Sequence, residues 1–134
     1  MPDHVAIRIA CVAVAGAVGA LARWGLSRFV QRMAGTGWPY GTLAVNVLGC
    51  FFFGLVIAAF RDRVPADSPW RLLLLTGFAG AFTTYSTFAF ESWQLAADRH
   101  LLGAAVNVAL HLVLGLAAVG LGLLLPLYAI GGMG

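Results

Sequence analysis

Lysine is absent from this 134-residue chain, and charged side chains of any kind make up only 10% of it. Soluble domains carry about 25% charged residues, so an ordinary water-soluble fold is excluded. Cysteine is scarce. Cys11 and Cys50 both lie inside apolar runs, where a thiol behaves as a small hydrophobe, and neither has partners at metal-ligand spacing. No nucleophile stands with a base, no acids are paired and no phosphate-binding loop is present, so the sequence offers no catalytic constellation and does not read as an enzyme. The formal net charge is +3, but the basic residues are all arginines, most of them at the ends of apolar runs. They read as membrane flanks and not as a nucleic-acid surface.

What the chain does have is apolar length. Hydrophobic residues make up 61% of it, and the mean hydropathy is +0.92. A membrane span needs about 20 mostly apolar residues, and four stretches qualify: Ile9 to Phe29, Gly41 to Phe60, Leu72 to Leu95 and Leu101 to Leu125. The linkers RMAGTGWPY, RDRVPADSPWR and AADRH hold Gly, Pro or Asp where helices should stop, and none is long enough for a soluble domain. The expectation is an all-α membrane protein, with residues 1–134 forming a single four-helix domain. Arg8, the apolar run from Ile9 and Ala20-Leu21-Ala22 imitate a signal peptide. Removing that segment would leave three spans and a stray tail, so it is read as a retained first span.

With four spans the N-terminus, the second linker and the C-terminus share one side of the bilayer. That side carries Arg8, Arg61, Arg63 and Arg71, and the other carries Arg28, Arg32 and Arg99, with Arg23 just inside the span. Orientation follows Lys/Arg asymmetry in short loops, and here there is almost none. The sequence therefore suits insertion both ways round and an antiparallel homodimer, the plain alternative being a single, weakly determined topology. Four short helices enclose little by themselves, which also favours a dimer for transport. Small residues (Ala15, Gly16, Gly19, Ala20, Gly115 and Gly120) allow close helix approach.

Polar residues within spans are expensive and tend to be paired or functional. In the second span Thr42, Asn46, Gly49 and Phe53 recur at helical spacing and form one stripe. In the fourth, Asn107 and His111 share a face; their candidate role is pore lining, and the plain alternative is interhelical hydrogen bonding. No second His or carboxylate lies at metal spacing from His111.

The third span contains GFAGAFTTYSTFAFE, with five consecutive hydroxyl residues, Thr83 to Thr87. Each could return its proton to the carbonyl one turn back in an unbroken helix. Alternatively Gly77 and Gly80 loosen the backbone, the helix breaks near midplane, and hydroxyls and freed carbonyls line something wet or ionic. Five hydroxyls after Gly-x-x-Gly favour the break. Phe78, Phe82, Tyr85 and Phe88 fall at i, i+4, i+7 and i+10, which predicts a single aromatic stripe. Ring edges, hydroxyl protons and an Asn amide all suit an anion, while Glu91 is the sole carboxylate near a span. A small, strongly hydrogen-bond-accepting anion fits best.

At these residues the sequence resembles a known family. GAVGALARW, GTLAVNVLGCFFFG and GFAGAFTTYSTFAFE are similar, in order and with matching linkers, to the signature segments of the Fluc/CrcB fluoride channels. The resemblance implies a passive fluoride-selective channel in the inner (plasma) membrane, lying multi-pass in the lipid bilayer as a dual-topology homodimer with two pores. It further implies that Asn46 is a pore asparagine, that Tyr85 and Phe88 occupy the places of two pore phenylalanines, and that Ser86, Thr87 and Thr42 belong to a polar track. By the same resemblance Gly80 and Thr83 hold a structural sodium ion through backbone carbonyls, with no organic cofactor, and Arg23 and Glu91 lie near pore mouths. Tyr85 and His111 depart from the family pattern. A small proton-coupled exporter would need a carboxylate deep in a span, and a non-transporting assembly subunit would use the polar track only as adhesive; these are the competing readings.

Overall fold

The computed structural model describes residues 2–61 and 63–131, and side chains over 5–61 and 63–125. The element order is α1 (Pro2–Ala34), α2 (Tyr40–Phe60), α3 (Pro69–Arg71), a π-helical segment (Leu72–Ala79), α4 (Gly80–Phe82), α5 (Tyr85–Ala97) and α6 (Leu101–Gly131). No strand occurs among the described residues. Four helical stretches have the length and apolar character to cross a membrane: Val5–Ala34, Tyr40–Phe60, Pro69–Ala97 and Leu101–Leu125. The second and fourth nearly coincide with the apolar runs. The first and third extend past them, because helical hydrogen bonding continues beyond the point where side chains turn polar, through Arg28, Gln31 and Arg32 in α1.

Local chemistry sets the element ends. Gly35, at φ +97°, closes α1 by donating its N–H to the Gln31 carbonyl at 3.0 Å. The Gln31 side chain then ties the linker together, donating to the Gly35 and Trp38 carbonyls and accepting from the Gly41 N–H. Ser68 caps α3, with Pro69 at its first position. The α5–α6 turn places Arg99 in the left-handed region at φ 63°, where glycine would be usual. The His100 N–H reaches back to the Leu95 carbonyl at 2.8 Å.

Packing relies on a few glycines. The most extensive contact is between α2 and α6. A Cβ on Gly54 would stand 2.3 Å from the Val119 carbonyl oxygen, and one on Gly122 would stand 2.3 Å from that of Phe51. Bare glycine is what lets these backbones meet. Gly19 of α1 similarly accepts the Phe78 carbonyl of the π segment. Gly120, expected to help packing, has no neighbour beside its Cα. Few side chains are wholly buried, Val45 and Asn107 being the largest. Much of the outer surface is aliphatic, as at Val14, Val18 and Leu116, which suits contact with lipid tails.

Candidate functional site

Between α4 and α5 the backbone leaves the helix for two residues. Thr83 (φ −80°, ψ 158°) and Thr84 (φ −147°, ψ 107°) are extended. Two extended residues inside a membrane span must find new partners for their backbone groups, and Asn46 of α2 supplies them. Its Oδ1 accepts from the Thr84 N–H at 2.7 Å, and its Nδ2 donates to the Thr84 carbonyl at 3.0 Å. One carboxamide thus satisfies both groups of the same residue. An Asn amide carries two N–H donors, so one remains for another acceptor.

The hydroxyls divide the remaining work. Thr84 Oγ1 caps α5, accepting from the Thr87 N–H at 3.3 Å, and lies 2.8 Å from Thr87 Oγ1 and 3.5 Å from Ser86 Oγ. Thr83 Oγ1 donates back to the Ala79 carbonyl at 3.0 Å. Thr83 thus shows the return to a carbonyl one turn back, while Thr84 serves as a helix cap. Gly49 makes room, since a Cβ there would stand 2.3 Å from Thr83 Cγ2.

The four carbonyls from Gly80 to Thr83 lose their helical donors as a result, Gly80 and Thr83 at the two ends of the set. The Thr84 N–H, which would bond the Gly80 carbonyl in an unbroken helix, goes to Asn46; the Thr87 N–H, due to the Thr83 carbonyl, goes to Thr84 Oγ1. Arg23 Nη1 approaches the Thr83 carbonyl at 3.5 Å, leaving that oxygen a second lone pair. A pair of neutral oxygens suits a hard cation of low charge, and no group of three His, Cys, Asp or Glu able to hold a metal exists among the described residues.

The aromatic residues do not form one stripe. Phe78 and Phe82 stack at 5.6 Å, with Phe52 edge-on to Phe78 at 5.2 Å, and Phe82 is buried. Tyr85 and Phe88 form a separate edge-to-face pair at 5.6 Å and 62°. The π segment and the extended residues change the angular phase, so 3.6-residue counting fails across them. Asn46, Phe53, Thr83, Tyr85, Phe88 and His111 line one groove of about 460 Å³. Arg23, Thr42, Thr84 and Thr87 line another of about 250 Å³, between α1 and α2. Tyr85 is 79% exposed, and Ser86 and Thr87 are exposed too.

Deeper polar residues are committed to one another. Buried Thr42 donates to Glu91 Oε1 at 2.7 Å. Asn107, fully buried, donates to Ser92 Oγ at 2.9 Å, and Ser92 donates to the Phe88 carbonyl at 2.8 Å. His111 Nδ1 lies 2.9 Å from the Asn107 carbonyl, and its ring lies 4.3 Å from that of Phe88, tilted 33°. The sequence did not single out Ser92 or Thr84. Ser92 is one turn beyond Phe88, which was the only available signal for it.

The fold and site define a multi-pass α-helical membrane protein whose polar groups gather at two extended residues inside one span. The family described as "CrcB-like protein, Camphor Resistance (CrcB)" matches residues 10–123, and the chain belongs to that family. It is similar to proteins named "Fluoride-specific ion channel FluC". That of Solidesulfovibrio magneticus is 47% identical over 118 residues, 88% of this chain and 94% of the relative. That of Nitrosococcus oceani is 46% identical over 115 residues, 86% and 92%. The protein from Vibrio parahaemolyticus is 41% identical over 111 residues, 83% and 87%.

Proposed function

We propose that this chain is a passive, fluoride-selective channel that lets cytoplasmic fluoride leave across the inner membrane, working as an antiparallel homodimer with two pores at its interface. The observation that carries the reading is the meeting, on one groove, of Asn46's spare amide proton, the Tyr85–Phe88 edge pair and the start of α5. First-turn amides have no helical acceptor, and the positive end of the helix dipole favours an anion. Ring edges are positive as well. No carboxylate lines this groove.

Exposure supports the dimer. Tyr85, at 79% exposed, and the hydroxyls of Ser86 and Thr87 would otherwise face hydrocarbon near the middle of a span, where an unpaired polar group costs several kcal/mol. A second copy offers matching groups, and the balanced arginines permit it to insert the opposite way. In that arrangement the break sits near midplane, and the Gly80 and Thr83 carbonyls of both copies would hold a sodium ion that keeps the dimer in register. Arg23 and Glu91 would stand near the pore mouths, and Thr42, Ser86 and Thr87 along the track.

Purified protein in liposomes loaded with fluoride tests this, with a fluoride electrode outside and a potassium ionophore added to discharge the potential. Efflux should wait for the ionophore and need no proton gradient. Efflux that requires a proton gradient would replace the channel with a coupled exporter.

A further inference from the structure

We infer that His111 is a pore-lining residue whose protonation raises fluoride conduction; this rests on the channel reading above. A backbone carbonyl only accepts hydrogen bonds, so the contact between His111 Nδ1 and the Asn107 carbonyl at 2.9 Å requires the proton on Nδ1. In the neutral ring Nε2 is then a lone-pair acceptor, and it is buried with no partner. Two further acceptors, Glu91 Oε2 and Asn107 Oδ1, are buried without a donor on the same helices. The imidazole lines the groove with Asn46, Tyr85 and Phe88 and lies against the Phe88 ring.

An acceptor lone pair beside an anion path repels the ion. Protonation adds a positive charge to the wall of the groove; Nε2 itself is enclosed beside the Thr42 backbone, so the charge acts on an ion in the groove through its field and not by direct contact. Protonation also sets a cation over the Phe88 face, an arrangement that attracts electrostatically and draws electron density from the ring edge. Histidine is the side chain that changes charge between about pH 5 and pH 8. The other titratable groups lining its groove are Tyr85 of α5 and Cys50 of α2; Glu91 of α5 is held by Thr42, and Tyr40 of α2 packs on Trp38. Arg23 of α1 is directed at the Thr83 carbonyl.

The test is ionophore-assisted fluoride efflux at pH 8 and pH 5, corrected for leak from protein-free liposomes. The full-length protein should conduct severalfold faster at pH 5. His111→Gln should lose most of that ratio, while substitution of exposed His100 by Gln keeps it. A second measurement needs no flux: ¹⁵N NMR of the histidines in bilayers at pH 8 should show His111 protonated on Nδ1 alone. An unchanged ratio in His111→Gln, a flat wild-type profile, or an Nε2-protonated neutral ring would each overturn the inference. Absence of efflux at both pH values, with Nδ1 protonated as expected, would instead strike the channel reading.

Discussion

Tyr85 and Phe88 meet edge to face on the wall of the groove, and Tyr85, largely exposed, adds a hydroxyl there. Fluoride leaving water loses strong hydrogen bonds, so an edge alone compensates it incompletely and nearby donors must supply the rest. On that account Tyr85→Phe keeps the edge and should conduct within about threefold of wild type, a change of about 0.7 kcal/mol in the barrier. Tyr85→Ile removes the edge and should cut efflux severely while the dimer still elutes intact. Efflux rates and size-exclusion profiles of both variants decide it; a dead Tyr85→Phe beside an active Tyr85→Ile would show that the hydroxyl, not the ring, meets the ion. The identities of these residues were legible in the sequence. Their grouping was not, because counting at 3.6 residues per turn joins Phe78 and Phe82 to Tyr85 and Phe88, whereas the structure separates a buried stack from an exposed pair.

The helical elements were legible from apolar length, and their ends from Gly, Pro and Asp. The α5–α6 turn was marked by the Asp of AADRH, and α5 does end with Asp98 as its cap; the left-handed conformation of Arg99, which glycine usually supplies, had no signal. Nor does any residue pattern announce the π-helical segment over Leu72–Ala79, since leucines read the same at either helical period. The partner of the extended residues was hidden for a different reason. Asn46 lies 38 residues before Thr84, so only the packing of α2 beside the break shows that its carboxamide clamps that residue. Asn46→Asp tests this clamp. A carboxylate still accepts the Thr84 N–H but cannot donate to the Thr84 carbonyl, and it sets a negative charge on the anion path. Losing a buried hydrogen bond costs about 1–3 kcal/mol, and efflux at neutral pH should fall by about tenfold or more. Unchanged efflux would make Asn46 an adhesive between helices and nothing further.

Across the whole molecule, charge balance carries the proposal that one sequence inserts both ways. Adding two lysines between Arg32 and Trp38 should bias the chain to one orientation and abolish efflux when that variant is expressed alone. Co-expression with an oppositely biased variant should restore it, and full activity of the first variant alone would argue against the antiparallel dimer. The central claim is that fluoride moves passively and selectively, and the zero-current potential in a planar bilayer tests it most directly. With a tenfold fluoride gradient and chloride replacing the missing fluoride, the account predicts reversal close to the fluoride equilibrium potential, about 59 mV in magnitude for one charge, unmoved when a pH gradient is imposed. Reversal near zero, or a potential that follows the proton gradient, would contradict it.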